Sequence, residues 1–436
     1  MNRKLKAIVL FSVIASLFAV LGSSGLAYTP RPGVLSPDQV DFGGKTVNIL
    51  VGDLNWVVYN GGKPLEERIA EAEALFNCKI EVGATGGANA MIARILAGDS
   101  TYDILRFEHR GGYFPLVTQG MLYPVSDILP PEYFESLPTA DRYSIEKLQF
   151  RGKLYGFGVT YDTFNGSMMI TMYNKDLIEA AGLEDPYVLW QEGRWTYDAL
   201  EEYGIALTQD TDGDGVIDQW GIGDLPNPAA VYRFLPSNGA ELAKQNEEGK
   251  WIYTLNDANA VYALNMVNRW RNELKIMGNG DFLTGKVAIV PHTHLAGARH
   301  AINAGVNVGY VPQAKGPHVE TNQQPTFDFA ANFLPVNAAE PEKLIALADF
   351  LFREGDGDAY LDFYINSYMR SREHMEVYIA CAENWRGEGD IFQWSGLWDI
   401  TDEAVNQIIN NEKGAAQATD EIAQQAQAFL DDLFAQ

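Results

Sequence analysis

Hydrophobic and polar positions in the first part of the chain alternate between strand-like and helix-like patterns. Short β-branched or apolar runs predict strands at residues 46–51, 79–82 and 103–107. Apolar residues at helical spacing predict helices at 64–76 and 88–97 between those strands. Strands that alternate with helices in this way indicate an α/β fold with a mainly parallel, helix-covered sheet.

A small hairpin with Gly152 in its turn is expected next. A second α/β unit follows the hairpin. Strands are predicted at 168–173, 287–290 and 306–311, and helices at 175–181, 197–207, 256–273, 341–352 and 420–434. The part of the chain after residue 27, roughly 400 residues, exceeds what one core usually supports, so two lobes are expected.

The first 27 residues have the pattern of a secretory signal peptide. Residues 2–6 are basic, residues 7–21 are apolar apart from two serines, and residues 22–27 are mostly small. We predict cleavage after Ala27 and a periplasmic or extracellular protein. The alternative is an uncleaved amino-terminal anchor, which the small residues disfavour. The stretch before the cleavage site has no lipid-anchoring cysteine, so we expect a freely diffusing protein.

The formal net charge of -26 disfavours binding to nucleic acid or to anionic membranes, because both would repel the protein. The two cysteines, Cys78 and Cys381, leave two alternatives open, one disulfide or two buried free thiols. We expect a monomer without an organic cofactor.

The acidic loop at residues 210–218 is the most specific local motif. Asp210, Asp212, Asp214 and Asp218 stand at positions 1, 3, 5 and 9 of an EF-hand-like calcium loop, with Gly215 at position 6. The carbonyl of Val216 would add a ligand at position 7. Position 12 is Gly221 instead of the usual Glu, which predicts weaker binding. The sequence therefore predicts a structural calcium clip between a helix and a strand at Trp220, with a metal-free turn as the alternative.

Other motifs give weaker evidence for phosphate binding, metal binding or catalysis. Residues 280–287 resemble a phosphate-binding loop, but Val287 replaces the hydroxyl that would hold magnesium and a strand follows where a helix is required. His292 and His294 share one face of a strand but have no nearby third ligand for a transition metal. The chain has no Gly-x-Ser-x-Gly elbow of a serine hydrolase.

Aromatic residues in loops point to carbohydrate, because sugar rings expose flat C–H faces that stack on aromatic planes. Trp56 follows a strand end, and Trp385, Trp394 and Trp398 lie in a Gly- and Asp-rich stretch predicted to be a loop. Trp270 lies within a helical pattern and is expected in the core. Ligands of parallel sheets bind beyond the carboxyl ends of strands, which adds residues 108–110 to the site.

Several segments in order resemble the family 1 extracellular solute-binding proteins, of which maltose-binding protein is the best-known type. Residues 102–105 and 120–125 resemble its strand and "G-x-L-x-P-L" turn, and 151–156 with 172–177 its "GKLYG…YNKDL" segment. Similar matches are 194–200 to "WTWDEL", 212–215 with 219–221 to a segment of sugar-binding members, and 282–289 to "FLSGKVAM".

The resemblance implies a type II periplasmic-binding-protein fold with two α/β lobes and a ligand cleft at the hinge. It places the amino-terminal lobe at 28–161 and 326–370 and the carboxyl-terminal lobe at 162–325 and 371–436. The implied function is the capture of a carbohydrate for the permease of an ABC importer. The expected ligand-binding residues are Trp56, Glu108, Arg110, Tyr161, Asp162, His292, His294, Trp385, Trp394 and Trp398.

Two alternatives stay open. A secreted carbohydrate-active enzyme would use a carboxylate pair, which chance alone supplies among 58 acidic residues. A binding protein for a non-sugar solute such as a peptide or polyamine would use cleft carboxylates such as Asp162 and Glu108, and its affinity would fall with salt.

Overall fold

A computed structural model of the chain describes most of its length. The described residues are 28–52, 59–60, 63–98, 102–108, 112–137, 142, 145–146, 148–160, 169–323, 330–352, 368–384 and 396–434. None of the helices within these residues is long and apolar enough to cross a lipid bilayer.

The first sheet has five strands in the order β4-β1-β5-β16-β8. Four of them run parallel, and β16 is antiparallel to both of its neighbours. The strands are β1 (Thr46–Val51), β4 (Lys79–Ala84), β5 (Ile104–Glu108), β8 (Phe157–Thr160) and β16 (Ala330–Phe333). Between β1 and β4 in the sequence, β2 (Tyr59–Asn60) and β3 (Lys63–Pro64) form a separate two-stranded pair.

The second sheet has the same plan, with the order β13-β10-β14-β9-β15 and one antiparallel strand, β9, in the fourth position. Its strands are β9 (Met169–Asn174), β10 (Trp220–Gly223), β13 (Met277–Gly278), β14 (Val287–His294) and β15 (Val308–Val311). The two small hairpins pair β6 (Gln149–Phe150) with β7 (Lys153–Leu154) and β11 (Ala243–Gln245) with β12 (Trp251–Tyr253).

Helices connect the strands of each sheet. In the first lobe they are α1 (Leu65–Phe76), α2 (Ala88–Leu96), α3 (Tyr113–Thr118) and α4 (Pro131–Glu135). In the second they are α5 (Lys175–Ala180), α6 (Pro186–Gln191), α7 (Tyr197–Leu207), α8 (Pro228–Tyr232), α9 (Ala258–Asn268) and α10 (Leu295–Asn303). The last four are α11 (Pro341–Phe352), α12 (Arg372–Glu383), α13 (Gly396–Ile409) and α14 (Ala415–Leu433).

The antiparallel strand of each sheet is the first one after the chain changes lobe. Strand β9 follows the segment 161–168, and β16 follows the segment 324–329. Helix α11 packs on α1 and β8, whereas α12 packs on β15, so the third change of lobe falls between Phe352 and Arg372. Residues 161, 162, 325 and 326, the lobe boundaries expected from the sequence, lie outside the described residues.

Local sequence signals account for most of these elements. Arg151 and Gly152 both have positive φ (49° and 71°), which fits the tight turn predicted for the first hairpin. The helix predicted at 256–273 is α-helical to Asn268 and continues as a π-helical turn over Arg269–Glu273. Trp270 in that turn is fully buried, as expected for a core residue.

The two cysteines are free and buried. Cys78 precedes β4 in the first lobe, and Cys381 lies on α12 in the second. Burial raises the pKa of the Cys78 thiol to about 11, and it also raises the pKa of the Cys381 thiol. Of the two alternatives, the structure therefore has the two free thiols.

An aromatic cluster joins the lobes at the end of α14. The ring of Phe434 stacks on Trp251 of β12 in the second lobe, with centroids 5.3 Å apart. It also contacts two rings of the first lobe, Phe150 at 5.7 Å and Phe114 at 6.2 Å. The carboxyl-terminal helix thus packs against both lobes.

Candidate ligand cleft and acidic loop

The carboxyl ends of the parallel strands in the first sheet form one edge of the candidate cleft. Glu108 ends β5 and Thr160 ends β8, and both pair with Ala330, the first residue of β16. Their backbones therefore flank Ala330 at this edge. Trp56, Arg110, Tyr161 and Asp162 follow strand ends in the sequence, and all four lie outside the described residues.

The second sheet contributes the opposing edge. His294 ends β14 and pairs with Met169, the first residue of β9. His292 and His294 occupy alternate positions of β14, while Thr293 and Leu295 between and after them are buried against the lobe.

Short segments of the chain connect the two edges. Thr160 at the first edge and Met169 at the second are joined by residues 161–168, which span at most about 30 Å when extended. Open α/β sheets bind ligands beyond the carboxyl ends of their strands. By this rule, the ends of β5 and β14, at Glu108 and His294, are the edges that a bound ligand would approach.

The loop after β10 also belongs to this edge, although no residue of it is among the ligand-binding residues expected from the sequence. Asp224 follows β10 directly, and its backbone N–H donates to the carbonyl of Gly278 at the end of β13 (3.0 Å). Asn227, three residues later, is exposed and caps α8 by accepting from the N–H of Ala230. The strand predicted at Trp220, together with the strand-end rule, would have found both residues.

The prediction that Trp398 lies in an exposed loop is wrong. Trp398 is on α13, is 6% exposed, and packs against the ring of Tyr232 at 5.3 Å. The Gly- and Asp-rich stretch before Gly396 obscured the start of an amphipathic helix. Its buried positions recur at helical spacing: Leu397, Trp398, Thr401, Ala404, Val405, Ile408 and Ile409. Trp385 and Trp394 lie outside the described residues.

The acidic loop folds as a series of side-chain-stabilised turns. The carboxylate of Asp210 accepts from the N–H groups of Gly213 (2.6 Å) and Gly215 (2.8 Å). Asp218 accepts from the N–H and hydroxyl of Thr211 at 2.8 and 2.9 Å, and these bonds lower the pKa of its carboxyl group. Both glycines have positive φ, which permits the sharp bends.

Three of the four predicted carboxylate ligands converge in this loop. Oxygens of Asp210, Asp212 and Asp218 lie within 4.8 Å of one another. Asp214 is not part of this group. Its carboxylate accepts from the N–H of Val216 at 2.7 Å. Oxygen donors at this spacing fit the hard-ligand preference of calcium. Gln209 and Gln219 pair across the base of the loop, which joins α7 to β10 as the sequence predicted.

Comparison with known proteins then identifies the family. The profile of the bacterial extracellular solute-binding proteins matches residues 58–357, which is more than half of the chain. The chain belongs to this family. Its description as extracellular agrees with the export predicted for this solute-binding protein. A search of curated proteins found no significant sequence match.

Solved structures share the fold of this solute-binding protein at low sequence identity. A cyclo/maltodextrin-binding protein complexed with maltotetraose is 18% identical, with a TM-score of 0.65 over 92% of this chain and 98% of that one. An ABC substrate-binding protein from Listeria monocytogenes in complex with cycloalternan is 16% identical, with a TM-score of 0.60 over 89% and 98%. UgpB from Mycobacterium tuberculosis in complex with glycerophosphocholine is 18% identical, with a TM-score of 0.60 over 84% and 94%.

These similarities show the fold expected from the sequence, a type II two-lobed periplasmic-binding-protein architecture. In such a fold the space between the two sheet edges is the place where a solute can be enclosed by hinge closure.

Proposed function

We propose that this chain is the substrate-binding component of an ABC importer, which captures a carbohydrate between its lobes and delivers it to the permease. The observation that carries the proposal is the pair of sheets with the same plan, whose carboxyl edges are joined by short crossing segments. Family membership supports the binding role. Among structures with this fold, two were solved with the oligosaccharides maltotetraose and cycloalternan.

One structural relative supports a second candidate ligand class. UgpB was solved with glycerophosphocholine, a zwitterionic phosphodiester of a polyol. A cleft built for such a ligand would need a positive charge for the phosphate, and Arg110 follows the β5 edge. A neutral oligosaccharide would accept a hydrogen bond from the same arginine through one of its hydroxyl oxygens. Measuring the binding of an oligosaccharide and of glycerophosphocholine therefore distinguishes the two ligand classes.

The test is calorimetry of the purified protein with neutral malto-oligosaccharides, cyclic oligosaccharides and glycerophosphocholine. We expect saturable 1:1 binding of one oligosaccharide and its recovery unchanged by chromatography after incubation. Arg110→Gln should weaken binding, whereas Lys45→Gln, which removes the same charge beside the opposite end of β1, should not. Hydrolysed sugar would support the enzyme alternative, and binding of glycerophosphocholine alone would refute carbohydrate.

The proposal includes export and a soluble monomeric form. Cleavage of a signal peptide after Ala27 would leave Tyr28 as the first residue of the exported protein. Mass spectrometry of the exported chain tests this, and an attached lipid or a retained leader would contradict it. Size-exclusion chromatography with light scattering tests the monomer.

The proposal also assigns a structural calcium ion to the acidic loop, held by Asp210, Asp212 and Asp218, with Asp214 and Val216 as further candidate ligands. The ion would fasten α7 to β10 and would take no part in ligand chemistry. The convergence of three carboxylates at calcium-loop spacing supports it.

A further inference from the structure

A π-helical turn at the end of α9 sends neighbouring side chains to different parts of the second lobe. Arg269 donates twice to Glu201 of α7, at 3.0 and 2.9 Å, and the indole N–H of Trp270 donates to the same carboxylate at 2.9 Å. Arg271, the next residue, reaches the loop after β10 instead. π-Helical turns are rare and often mark functional sites, so the target of Arg271 is informative.

Arg271 clamps the first two residues of that loop. Its Nη1 donates to the carboxylate of Asp224 at 2.5 Å and to the carbonyl of Leu225 at 3.2 Å. The Asp224 side chain is 6% exposed, and that of Arg271 is 26% exposed. An ion pair with one buried partner adds little net stability, so its effect here is to fix the conformation of the two residues that Arg271 holds.

Asn227 follows the clamped residues at the carboxyl end of β10. The Asn227 side-chain oxygen is bound to the N–H of Ala230, which fixes the plane of its amide. The amide nitrogen is the other branch of that plane and belongs to an exposed side chain. A donor fixed before binding loses little conformational entropy when it meets a ligand hydroxyl.

We propose that Arg271 is a positioning residue for ligand binding, which holds residues 224–227 at the cleft edge so that Asn227 offers a preformed hydrogen-bond donor to a ligand hydroxyl. This inference rests on the proposed carbohydrate-binding function. Arg271 acts through the loop and does not itself touch the ligand.

The test compares Arg271→Met and Arg271→Lys with the matched variant Arg269→Met from the same turn, whose partner Glu201 lies in the middle of α7. Amide hydrogen exchange of peptides covering 222–230 reports the clamp, and calorimetry with the oligosaccharide panel reports binding. In Arg271→Met we expect faster exchange in the loop and about tenfold weaker affinity. Arg271→Lys should recover part of both, and Arg269→Met should leave loop exchange and affinity unchanged.

Unchanged exchange in Arg271→Met would overturn the clamp. Faster exchange with unchanged affinity would overturn the positioning role and leave the proposed function intact. Equal weakening by Arg269→Met would show a general effect of the turn and would also overturn it. A wild-type protein that binds no oligosaccharide would refute the proposed function itself.

Discussion

The hydroxyl of Tyr28 donates a hydrogen bond of 2.6 Å to the carboxylate of Asp349, across 321 positions of sequence. Asp349 lies on α11 and is 1% exposed, and Arg31 approaches its other oxygen at 3.7 Å. The ring of Tyr28 also packs edge-on against Phe350 at 5.1 Å. The start of the described chain is thereby fastened to the first lobe.

Tyr28→Phe should lower the free energy of unfolding by about 1–2 kcal/mol, because it removes a hydrogen bond from a buried carboxylate. Urea unfolding measures the change. In an Asp349→Asn background the same substitution should cost less, since the charged acceptor is gone. Equal costs in both backgrounds would show that the two residues are not coupled.

Calcium should raise the unfolding midpoint if the acidic loop binds it. A metal at 100 times its dissociation constant stabilises the folded state by about 2.7 kcal/mol. We expect a chelator to lower the thermal midpoint and calcium to restore it. Asp212→Asn should abolish the calcium response, and Asp214→Asn, outside the converging group, should retain most of it. A midpoint that is insensitive to both chelator and calcium would leave the loop as a turn.

His374 should make stability fall in acid. Burial lowers the pKa of its imidazole from the ordinary value of 6.5, Lys175 and Arg370 lower it further, and a bond to the Val308 carbonyl and the charge of Glu373 act in the opposite direction. Its Nδ1 accepts from the N–H of Arg370 (3.2 Å), Nε2 bonds to Val308, and the ring stacks on Tyr310.

Below pH 6.5 the unfolded chain takes up a proton that folded His374 resists, so stability is present above that pH and is lost as the pH falls. The slope is at most about 1.4 kcal/mol per pH unit for one proton. Comparing urea midpoints between about pH 7.5 and 5.5, we expect His374→Asn to lose this part of the pH dependence. An unchanged slope in the variant would contradict the assignment.

Phe434→Ala should weaken the contact between the lobes. Loss of a half-buried phenyl ring should cost about 2–3 kcal/mol. Because its neighbours belong to both lobes, we also expect calorimetry to separate one unfolding transition into two. Phe429→Ala, on the same helix but packed against Gly396 of the second lobe, should destabilise without separating them. If the two variants give the same thermogram, Phe434 does not couple the lobes.

The sequence by itself determined the elements whose signals are local. The periodicity around Pro341 and the β-branched run at Thr46 predicted α11 and β1 because those patterns act within a few residues. Spacing also predicted the acidic loop and the hairpin at Gly152. Trp398 was misplaced because glycine and aspartate before it resemble a loop, whereas the structure places it on α13, buried against Tyr232.

Only the tertiary structure decided which distant residues meet. The insertion of β16 between β5 and β8 pairs Ala330 with both Glu108 and Thr160, and no local pattern encodes those pairings. The bond from Tyr28 to Asp349 and the clamp from Arg271 to Asp224 likewise join residues far apart in the chain. Such contacts depend on how packed elements bring buried polar groups together, because a buried carboxylate needs donors that the whole fold must supply.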